Sequence, residues 1–254
     1  MYNRNRIHIS ESEQQRMRDF KIVFGGLGLN SVIAECALRI GFETLHLIDG
    51  DVVELSNLNR QNYTLADVGK PKCVALYEKL KQINPNANIT YSNVFLTAEN
   101  LAEHLTNANI AVNAIDFTSS VPLVFDDVCF EMNIPVVHPY NLGFGALLCV
   151  LTKQSNNFRS LTETYEGMEI HVVNHVLNTL DRQSVDTSVL KNALAKYIAE
   201  QGAEQPPQLS IASWVLGGLC TDIFLKILNR ESISVFPDFY YMNSNQNRIT
   251  YESK

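Results

Sequence analysis

The apolar and polar positions along the chain follow two different periods. Short β-branched or aromatic runs at 21–26 and 44–48 are typical of buried strands. The segment between them, 27–41, repeats its apolar residues at the spacing of one helix face. A glycine-rich turn separates the first run from this helix. The chain therefore opens with a strand, a helix and a second strand, which together form a βαβ unit.

The same alternation continues to about residue 152. Further strands and helices are predicted in turn, the strands at 88–95, 109–116, 134–140 and 145–152 and the helices at 70–85, 97–108 and 119–133. Strands that alternate with helices form a mostly parallel sheet with right-handed crossovers. The predicted fold class is therefore α/β, with a Rossmann-like doubly wound sheet.

The pattern changes after this core. Residues 153–167 are polar, and 168–201 have the spacing of one or two amphipathic helices without a strand between them. Residues 209–228 form a long helix that is apolar nearly all round, which predicts burial in the core or in a dimer interface. Two closing strands, 232–243 and 248–253, are joined by a hairpin-like turn.

Composition and charge narrow the class of protein. The 254 residues are 46% hydrophobic and 19% charged, and their net charge of −7 argues against non-specific binding to nucleic acid or to an anionic membrane. No run approaches the roughly eighteen apolar residues of a membrane span, and the N-terminus lacks a signal-like apolar segment. The five cysteines are scattered and never in CxxC spacing, which is typical of a reducing compartment. We expect a soluble, cytoplasmic protein.

The turn after the first strand has the chemistry of a phosphate-binding loop. Gly25, Gly26 and Gly28 stand between a strand and a helix, where backbone N–H groups can approach a phosphate. Asn30 stands where a strict GxGxxG pattern has its last glycine. Asp49 ends the second strand about twenty residues later, where an acid holds a nucleotide ribose. These residues predict nucleotide binding but do not separate NAD from ATP.

The polar stretch 49–72 distinguishes between the two cofactors and favours ATP. A pyrophosphate held by glycine N–H groups gives no reason for Arg60 and Lys72 to follow a ribose acid, whereas adenylyl transfer does. The two cations would stabilise charge on the α-phosphate and the departing pyrophosphate, while Asn57 and Gln61 orient oxygens. Asp116, at the end of the fourth strand, can hold Mg²⁺ at the carboxyl edge of the sheet, or can simply favour a helix N-terminus.

Several of these motifs together resemble the ThiF/MoeB/HesA family, the bacterial relatives of ubiquitin-activating enzymes. They are GGLGLNS after the first strand, LIDGDVVELSNLNRQ after the second, VGKPK, INPNANI, VNAID and the N-terminal YNRN. The resemblance is dense over 21–150 and weaker beyond. It implies a single domain over 1–254, with the parallel sheet continued by antiparallel strands. We divide it into an arm (1–20), a nucleotide-binding core (21–152), a helical insertion or crossover region (153–208) and a closing part (209–254).

The resemblance also implies an activity and roles for residues. The family uses Mg-ATP to adenylate a carboxylate, such as the C-terminal glycine of a ubiquitin-like or β-grasp carrier protein, or a small acid. By motif position Asp49 would hold the ribose, and Asp116 would hold the Mg²⁺ or the transition-state geometry. Asn57, Arg60 and Lys72 would hold the phosphates. In a homodimer, Arg4 would reach the partner subunit's site, with Arg6 as a competing candidate.

Two departures from the family pattern also carry expectations. Where many relatives have zinc-binding CxxC pairs, this chain has none, so we expect no structural zinc. Cys149 and Cys220 lie in apolar segments, which predicts core residues rather than nucleophiles. His171 and His175 have helical ligand spacing but no accompanying acid, and are expected at the surface.

Three questions stay open at this point. A non-catalytic partner subunit of the same fold is the main alternative to an adenylyltransferase, and an NAD(P)-dependent oxidoreductase is a weaker one. Asp51 has no assigned role. Segment 168–201 is a candidate platform for the acceptor, from its position alone.

Overall fold

The computed structural model of the chain describes residues 1–200, 205–244 and 248–250. Its eight strands are β1 (Lys21–Gly25), β2 (Thr44–Ile48), β3 (Asn88–Ser92), β4 (Ile110–Asn113), β5 (Val136–Leu142), β6 (Gly145–Leu151), β7 (Tyr240–Asn243) and β8 (Arg248–Thr250). The helices are α1 (Glu11–Asp19), α2 (Asn30–Ile40), α3 (Lys72–Ile83), α4 (Leu101–Leu105), α5 (Val121–Glu131), α6 (Met168–Arg182), α7 (Ser188–Ala199) and α8 (Ser210–Asn229).

All eight strands join one sheet in the order β3-β2-β1-β4-β5-β6-β7-β8. The pairs from β3 to β5 are parallel, and those from β5 to β8 are antiparallel. The chain therefore winds outward from β1 to β3 and then returns to the other side of β1. Ligands of such sheets bind at the carboxyl ends of the strands where this reversal occurs, here between β1 and β4. The predicted fold class is confirmed, including the antiparallel continuation.

Several elements are shorter than predicted, mainly at the carboxyl edge. Strand β2 has the predicted bounds, but β3 ends at Ser92 and β4 at Asn113, each three residues before the predicted end. The last residues of both predicted strands leave the sheet as loops. Among the closing strands, the predicted strand 232–243 pairs only over Tyr240–Asn243, because Pro237 has no N–H to donate to the ladder. Residues 251–253 of the second predicted closing strand, 248–253, lie outside the described residues.

Two apolar layers cover the two faces of the sheet. Phe24 of β1 belongs to the layer under α1, α2, α3 and α8, whereas its neighbour Val23 belongs to the layer under α5 and α6. Successive residues of a strand point to opposite faces, so both faces of this sheet are buried. Such double burial explains why β1, β4 and β6 are nearly continuous apolar runs, whereas the outer strand β3 is mostly exposed.

Helix α8 is buried on one side and exposed on the other. A Cβ on Gly217 would lie 3.2 Å from Val32 of α2, so the two helices approach closely, while Trp214 on another side is 55% exposed. With a mean hydropathy of 1.6 in its most apolar window, α8 is long and apolar enough to cross a membrane. The expectation that no segment approaches a span was wrong by that measure. Half of the window is buried inside the protein, and one such helix is weak evidence for a membrane span, because core helices also reach this length and composition.

The glycine turn after β1 depends on one left-handed residue. Gly26 has φ of +75°, and a Cβ there would lie 2.6 Å from the carbonyl oxygen of Ala114. The buried Asn30 amide donates to the carbonyl oxygens of Gly25 (3.1 Å) and Gly26 (2.8 Å). Asn30, which stands where a strict GxGxxG pattern has its last glycine, therefore holds the turn from inside.

We expect Gly26→Ala to lower the free energy of unfolding by about 2 kcal/mol or more, since it combines an unfavourable φ with a backbone clash. Gly218→Ala is the matched control, because a Cβ there meets nothing within 4 Å in a helix. That change should raise stability by up to about 1 kcal/mol. Urea unfolding of both variants measures the difference. Equal midpoints for the two would contradict the turn geometry.

A pair of histidines, one from β2 and one from α4, makes a contact between these two elements. His46 Nε2 is 3.3 Å from His104 Nδ1, and His46 Nδ1 is 2.8 Å from Thr90 Oγ1. Burial lowers the pKa of His46 to about 4, helped by the charges of His104 and Lys21. The folded protein thus keeps this ring neutral at a pH where the unfolded chain protonates it.

This depressed pKa predicts a stability that depends on pH. The contribution is fully present above the ordinary histidine pKa of about 6.5 and is lost as pH falls toward 4. Because the ring is only partly buried, we expect a loss of about 1–2 kcal/mol across this window. His46→Gln should flatten that part of the curve in thermal unfolding. An unchanged slope between pH 6.5 and 4 would show that His46 titrates normally.

Candidate functional site

A cleft of about 750 Å³ opens at the carboxyl edge of the parallel strands. A second cavity of about 850 Å³ adjoins it, and both are lined by Asp51, Arg60, Gln61, Lys72 and Asp116. The reversal of strand order places these loops side by side. Most residues that the sequence singled out therefore meet in one place, although they come from separate parts of the chain.

Asp49 lies at the end of β2 and ties two loops together. Its Oδ2 accepts a hydrogen bond from the N–H of Leu27 (2.5 Å), and its Oδ1 accepts one from the N–H of Asp51 (2.8 Å). The side chain is buried at the floor of the cleft. Gly26 and Gly28 also line the cleft. Gly25 does not: a Cβ there would lie 2.9 Å from the Phe125 ring, so this glycine permits packing beneath the turn.

The short turn at 55–57 and the residues after it present two amides. The Oδ1 of Asn57 accepts a hydrogen bond from the N–H of Glu54 (3.0 Å), so this buried side chain also fixes its own loop. Gln61 packs against the glycine turn, and a Cβ on Gly28 would lie 3.0 Å from its Nε2. The Oε1 of Gln61 is buried without a hydrogen-bond partner in the described part of the chain. Gln61 lines both cavities, whereas Asn57 lines only the second.

Arg60 is held by three acceptors. Its Nε donates to Oε1 of Gln208 (2.5 Å), and its Nη1 donates to the carbonyl oxygen of Ser56 (3.0 Å) and to Oδ1 of Asn59 (2.8 Å). Partial burial lowers the pKa of Arg60, and the charge of Asp116 opposes this shift. The guanidinium is therefore fixed at the junction of the two cavities.

Gln208 lies at the end of the predicted insertion or crossover region 153–208, where the sequence indicated no site residue. Residues 205–208 line both cavities and so cross over their junction. Leu209, which follows, is bound at its backbone N–H and carbonyl by the side chain of Asn141 on β5 (3.2 and 2.7 Å). No local pattern marks this contact, because Gln208 meets Arg60 only in the folded chain.

Lys72 begins α3 and points at the same junction. Its Nζ lies 3.0 Å from Oδ2 of Asp51, and its N–H donates to the Asp51 carbonyl oxygen (2.9 Å). The lysine side chain is 11% exposed, whereas that of Asp51 is 55% exposed. Asp51, which had no role assigned from the sequence, therefore orients the Lys72 side chain.

Asp116 follows β4 and faces the open cleft with its carboxylate. It makes no hydrogen bond within the described residues, yet protein atoms crowd it on its other sides. This desolvation raises the pKa of Asp116, the charges of Asp51 and Asp49 raise it further, and those of Lys72 and Arg60 lower it. A carboxylate that is accessible but crowded by like charges is a suitable ligand for a cation.

Glu169 adds another acid that the sequence did not indicate. It lies in the first turn of α6, and its Oε1 accepts a hydrogen bond from the N–H of Phe117 (3.2 Å). Burial raises the pKa of Glu169, and the charge of Asp116 adds to the shift. Among the described residues that line the cleft, carboxylates outnumber Arg and Lys side chains, so a bound polyphosphate needs further positive charge.

Arg4 lies away from this cleft and is not among the residues that line it. It sits, exposed, in a short turn at 3–5 that is tied to the C-terminal end of α2, because Tyr2 Oη and Asn5 Nδ2 donate to the carbonyl oxygens of Leu38 (3.2 Å) and Ile40 (2.8 Å). Helix α2 begins at the glycine turn, beside the carboxyl ends of the strands, and ends near the amino end of β2. Arg4 therefore cannot serve its own cleft from this position.

Other candidate side chains lie apart from the cleft. Cys149 and Cys220 are fully buried in the core, and burial raises the pKa of both thiols. His171 is exposed, while His175 Nε2 lies 2.8 Å from the carbonyl oxygen of Pro237. Within the described ranges, no group of three or more His, Cys, Asp or Glu side chains is arranged to hold a metal.

Known proteins resemble this chain in sequence. The sulfur carrier protein ThiS adenylyltransferase of Escherichia coli K12 is 33% identical over 141 residues, 55% of this chain and 56% of that protein. The molybdopterin-synthase adenylyltransferase of Haemophilus influenzae is 29% identical over 208 residues, 80% of this chain and 79% of that protein. The ThiS adenylyltransferase of Bacillus subtilis matches over only 41% of its length, so the chain spans about half of the ThiS relatives.

Solved structures show the same fold. The crystal structure of E. coli MccB with ATP superposes with a TM-score of 0.69 at 18% identity, covering 94% of this chain and 65% of that chain. The structure of MccB with AMPCPP and MccA has a TM-score of 0.67 at 16% identity, covering 94% of this chain and 64% of that chain. Identity at this level shows the fold alone. The sequence of residues 2–253, by contrast, matches a family along nearly its whole length. This chain belongs to the ThiF family.

Proposed function

We propose that this protein is an ATP-dependent adenylyltransferase, which joins AMP to a carboxylate and releases pyrophosphate. The observation that carries the proposal is the meeting of Arg60, Lys72 and Asp116 at the sheet edge beside the glycine turn. Two cations and a cation-binding acid have no task in holding a ribose, but they match the charges of a transferring phosphate.

Asp49 would hold the ribose of ATP, and the glycine turn would hold a phosphate. Gly28 and Leu29, just before α2, line the cleft, and the dipole of that helix favours a phosphate there. Each oxygen of the Asp49 carboxylate already accepts one backbone hydrogen bond. A carboxylate oxygen can accept a second, so the ribose hydroxyls can bind without displacing either.

The two cations would act on the reacting phosphates. In the proposed reaction an oxygen of the acceptor carboxylate bonds to the α-phosphorus, and the bond from that phosphorus to the pyrophosphate oxygen breaks. Lys72 and Arg60 stabilise the negative charge that grows on the equatorial and leaving oxygens. The Asn57 amide oxygen is occupied by its own loop, which leaves its NH₂ group to donate to a phosphate.

Asp116 would hold Mg²⁺, with Asp51 as a further carboxylate in the cleft. The excess of carboxylates over cations fits a divalent ion, because the triphosphate would otherwise meet net negative charge. When bound, Mg²⁺ supplies charge neutralisation for the phosphate oxygens. An arginine from a second copy of the chain would add positive charge at the phosphates. Arg4 is the candidate and Arg6 the alternative, because the N-terminal turn lies at the C-terminal end of α2, away from its own cleft.

The acceptor would be a protein or peptide carboxylate. Relatives are named for the sulfur carrier protein ThiS and for molybdopterin synthase, and the solved structures of MccB include complexes with MccA. Helices α6 and α7 reach the cleft through Glu169 and Leu190, which supports the segment as the acceptor platform. The main alternative, a partner subunit without activity, predicts no exchange with any acceptor. An oxidoreductase predicts NADH binding instead, and leaves the two cations without a function.

ATP–pyrophosphate exchange with candidate carrier proteins and peptides tests this function. Lys72→Ala should lower the exchange rate by about 100-fold or more, since a preorganised cation is lost at the reacting phosphates. Lys70→Ala is the matched control, because Lys70 pairs with Asp67 and Glu78 away from the cleft. Asp116→Ala and Arg60→Ala should follow Lys72→Ala. Unaltered exchange in these variants would refute the assigned roles.

Mixing variants tests the arginine from a second subunit. If the sites are shared, Arg4→Ala and Lys72→Ala dimers are each inactive, but random exchange of subunits restores about a quarter of the wild-type rate, because one site of each mixed dimer is intact. The same experiment with Arg6→Ala identifies which arginine acts. Full activity of the Arg4→Ala protein alone would exclude Arg4.

A further inference from the structure

An exposed aromatic ring lines the cleft without a role in the fold. Strand β3 ends at Ser92, and Phe95 lies in the loop that follows, with 66% of its surface exposed. The loop is fixed at this point, since Asn100 Nδ2 donates to the Phe95 carbonyl oxygen (3.0 Å) and Asn100 Oδ1 accepts from the N–H of Thr97 (2.8 Å). A large apolar side chain that is held in place and left accessible inside a cleft points to a ligand.

Gly50 leaves the space that this ring occupies, because glycine has no side chain. A Cβ at Gly50 would lie 2.7 Å from two carbon atoms of the Phe95 ring and 2.8 Å from its backbone nitrogen. Gly50 is outside the left-handed region, so its backbone conformation does not require glycine. The close approach of Phe95 is what excludes a side chain there. The ring is therefore pressed against the backbone that directly follows Asp49.

The strand order puts Phe95 at a defined place along the cleft. The sheet runs β3, β2, β1, β4, and the loops after these strands carry Phe95, Asp49, the glycine turn and Asp116 in the same order. Adjacent strands are about 4.8 Å apart, which is near the spacing between the base, ribose and phosphates of a nucleotide. If Asp49 holds the ribose, the position one strand further out holds the base.

We propose that Phe95 is the surface on which the adenine base of ATP stacks, with Val94 and Leu96 as its apolar neighbours in the cleft. This inference rests on the proposed function and adds a binding residue to it. Stacking on an aromatic ring contributes by dispersion and the exclusion of water from both faces, and does not depend on hydrogen-bonding groups of the base. The ring should strengthen binding of nucleosides and have no effect on phosphates alone.

Titration with the fluorescent 1,N6-etheno-ATP tests the stacking. Phe95→Ala should raise the Kd for this nucleotide and for ATP by about 10- to 100-fold, the range for loss of one stacked base. Phe95→Tyr should stay within a few-fold of wild type, because it keeps the ring. Gly50→Ala should also raise both Kd values, because the added methyl meets the ring and the backbone nitrogen of Phe95, so that the residue must shift.

Two controls separate stacking from a general effect. Tyr91→Ala removes another exposed aromatic ring from β3, one that packs 5.0 Å from Tyr77 instead of lining the cleft, and should leave the Kd for ATP unchanged. Inorganic tripolyphosphate has no base, so its affinity should be the same in wild type and Phe95→Ala. In the exchange assay, Phe95→Ala should raise the KM for ATP while leaving kcat and the KM for pyrophosphate unaltered.

Each other result has a separate meaning. Wild-type protein that binds ATP while Phe95→Ala binds it equally well overturns the stacking role and leaves the proposed function intact. Equal weakening of ATP and tripolyphosphate in Phe95→Ala also overturns it, since the residue would then only support the loop. Wild-type protein that binds neither nucleotide, with or without Mg²⁺, overturns the proposed function and this inference together.

Discussion

The cleft depends on the two hydrogen bonds that the Asp49 carboxylate accepts from backbone N–H groups. One comes from Leu27 in the glycine turn and the other from Asp51, so the loops after β1 and β2 are joined by a single side chain. Asp51 in turn holds Lys72 at the start of α3. Hydrogen bonds to a buried carboxylate are among the stronger ones in proteins, because the charge strengthens each bond. A cation that acts on a phosphate is thus positioned through a chain of contacts that begins at a strand end.

The sequence predicted the fold and the centre of the site well, for physical reasons. The short β-branched or aromatic runs at 21–26 and 44–48 are typical of strands, and the helical spacing between them predicts the crossover of a βαβ unit. Parallel strands bring all their carboxyl ends to one edge, so Asp49 and Asp116 had to approach each other once the βαβ pattern was recognised. Gly26 was equally predictable as a turn residue, since its φ of +75° suits glycine best.

What the sequence did not predict are contacts between segments that no periodicity connects. Gln208 meets Arg60, and Asp51 pairs with Lys72, only because separate loops converge above the sheet edge. Glu169 enters the cleft because α6 begins beside the loop after β4. Hydrophobic spacing reports which face of an element is buried, but a polar loop residue leaves no such signal. The early ends of β3 and β4 have the same origin, because apolar residues there line the cleft and loops instead of pairing in the sheet.

The contact between Gly50 and Phe95 also has a consequence for how this protein can change over evolutionary time. Because the ring occupies the space of any side chain at position 50, the two positions cannot vary independently. Losing the ring does not by itself make room for a larger residue at 50, because the backbone nitrogen of residue 95 lies equally close. Position 50 is therefore constrained by the path of the loop after β3 as well as by the side chain at 95.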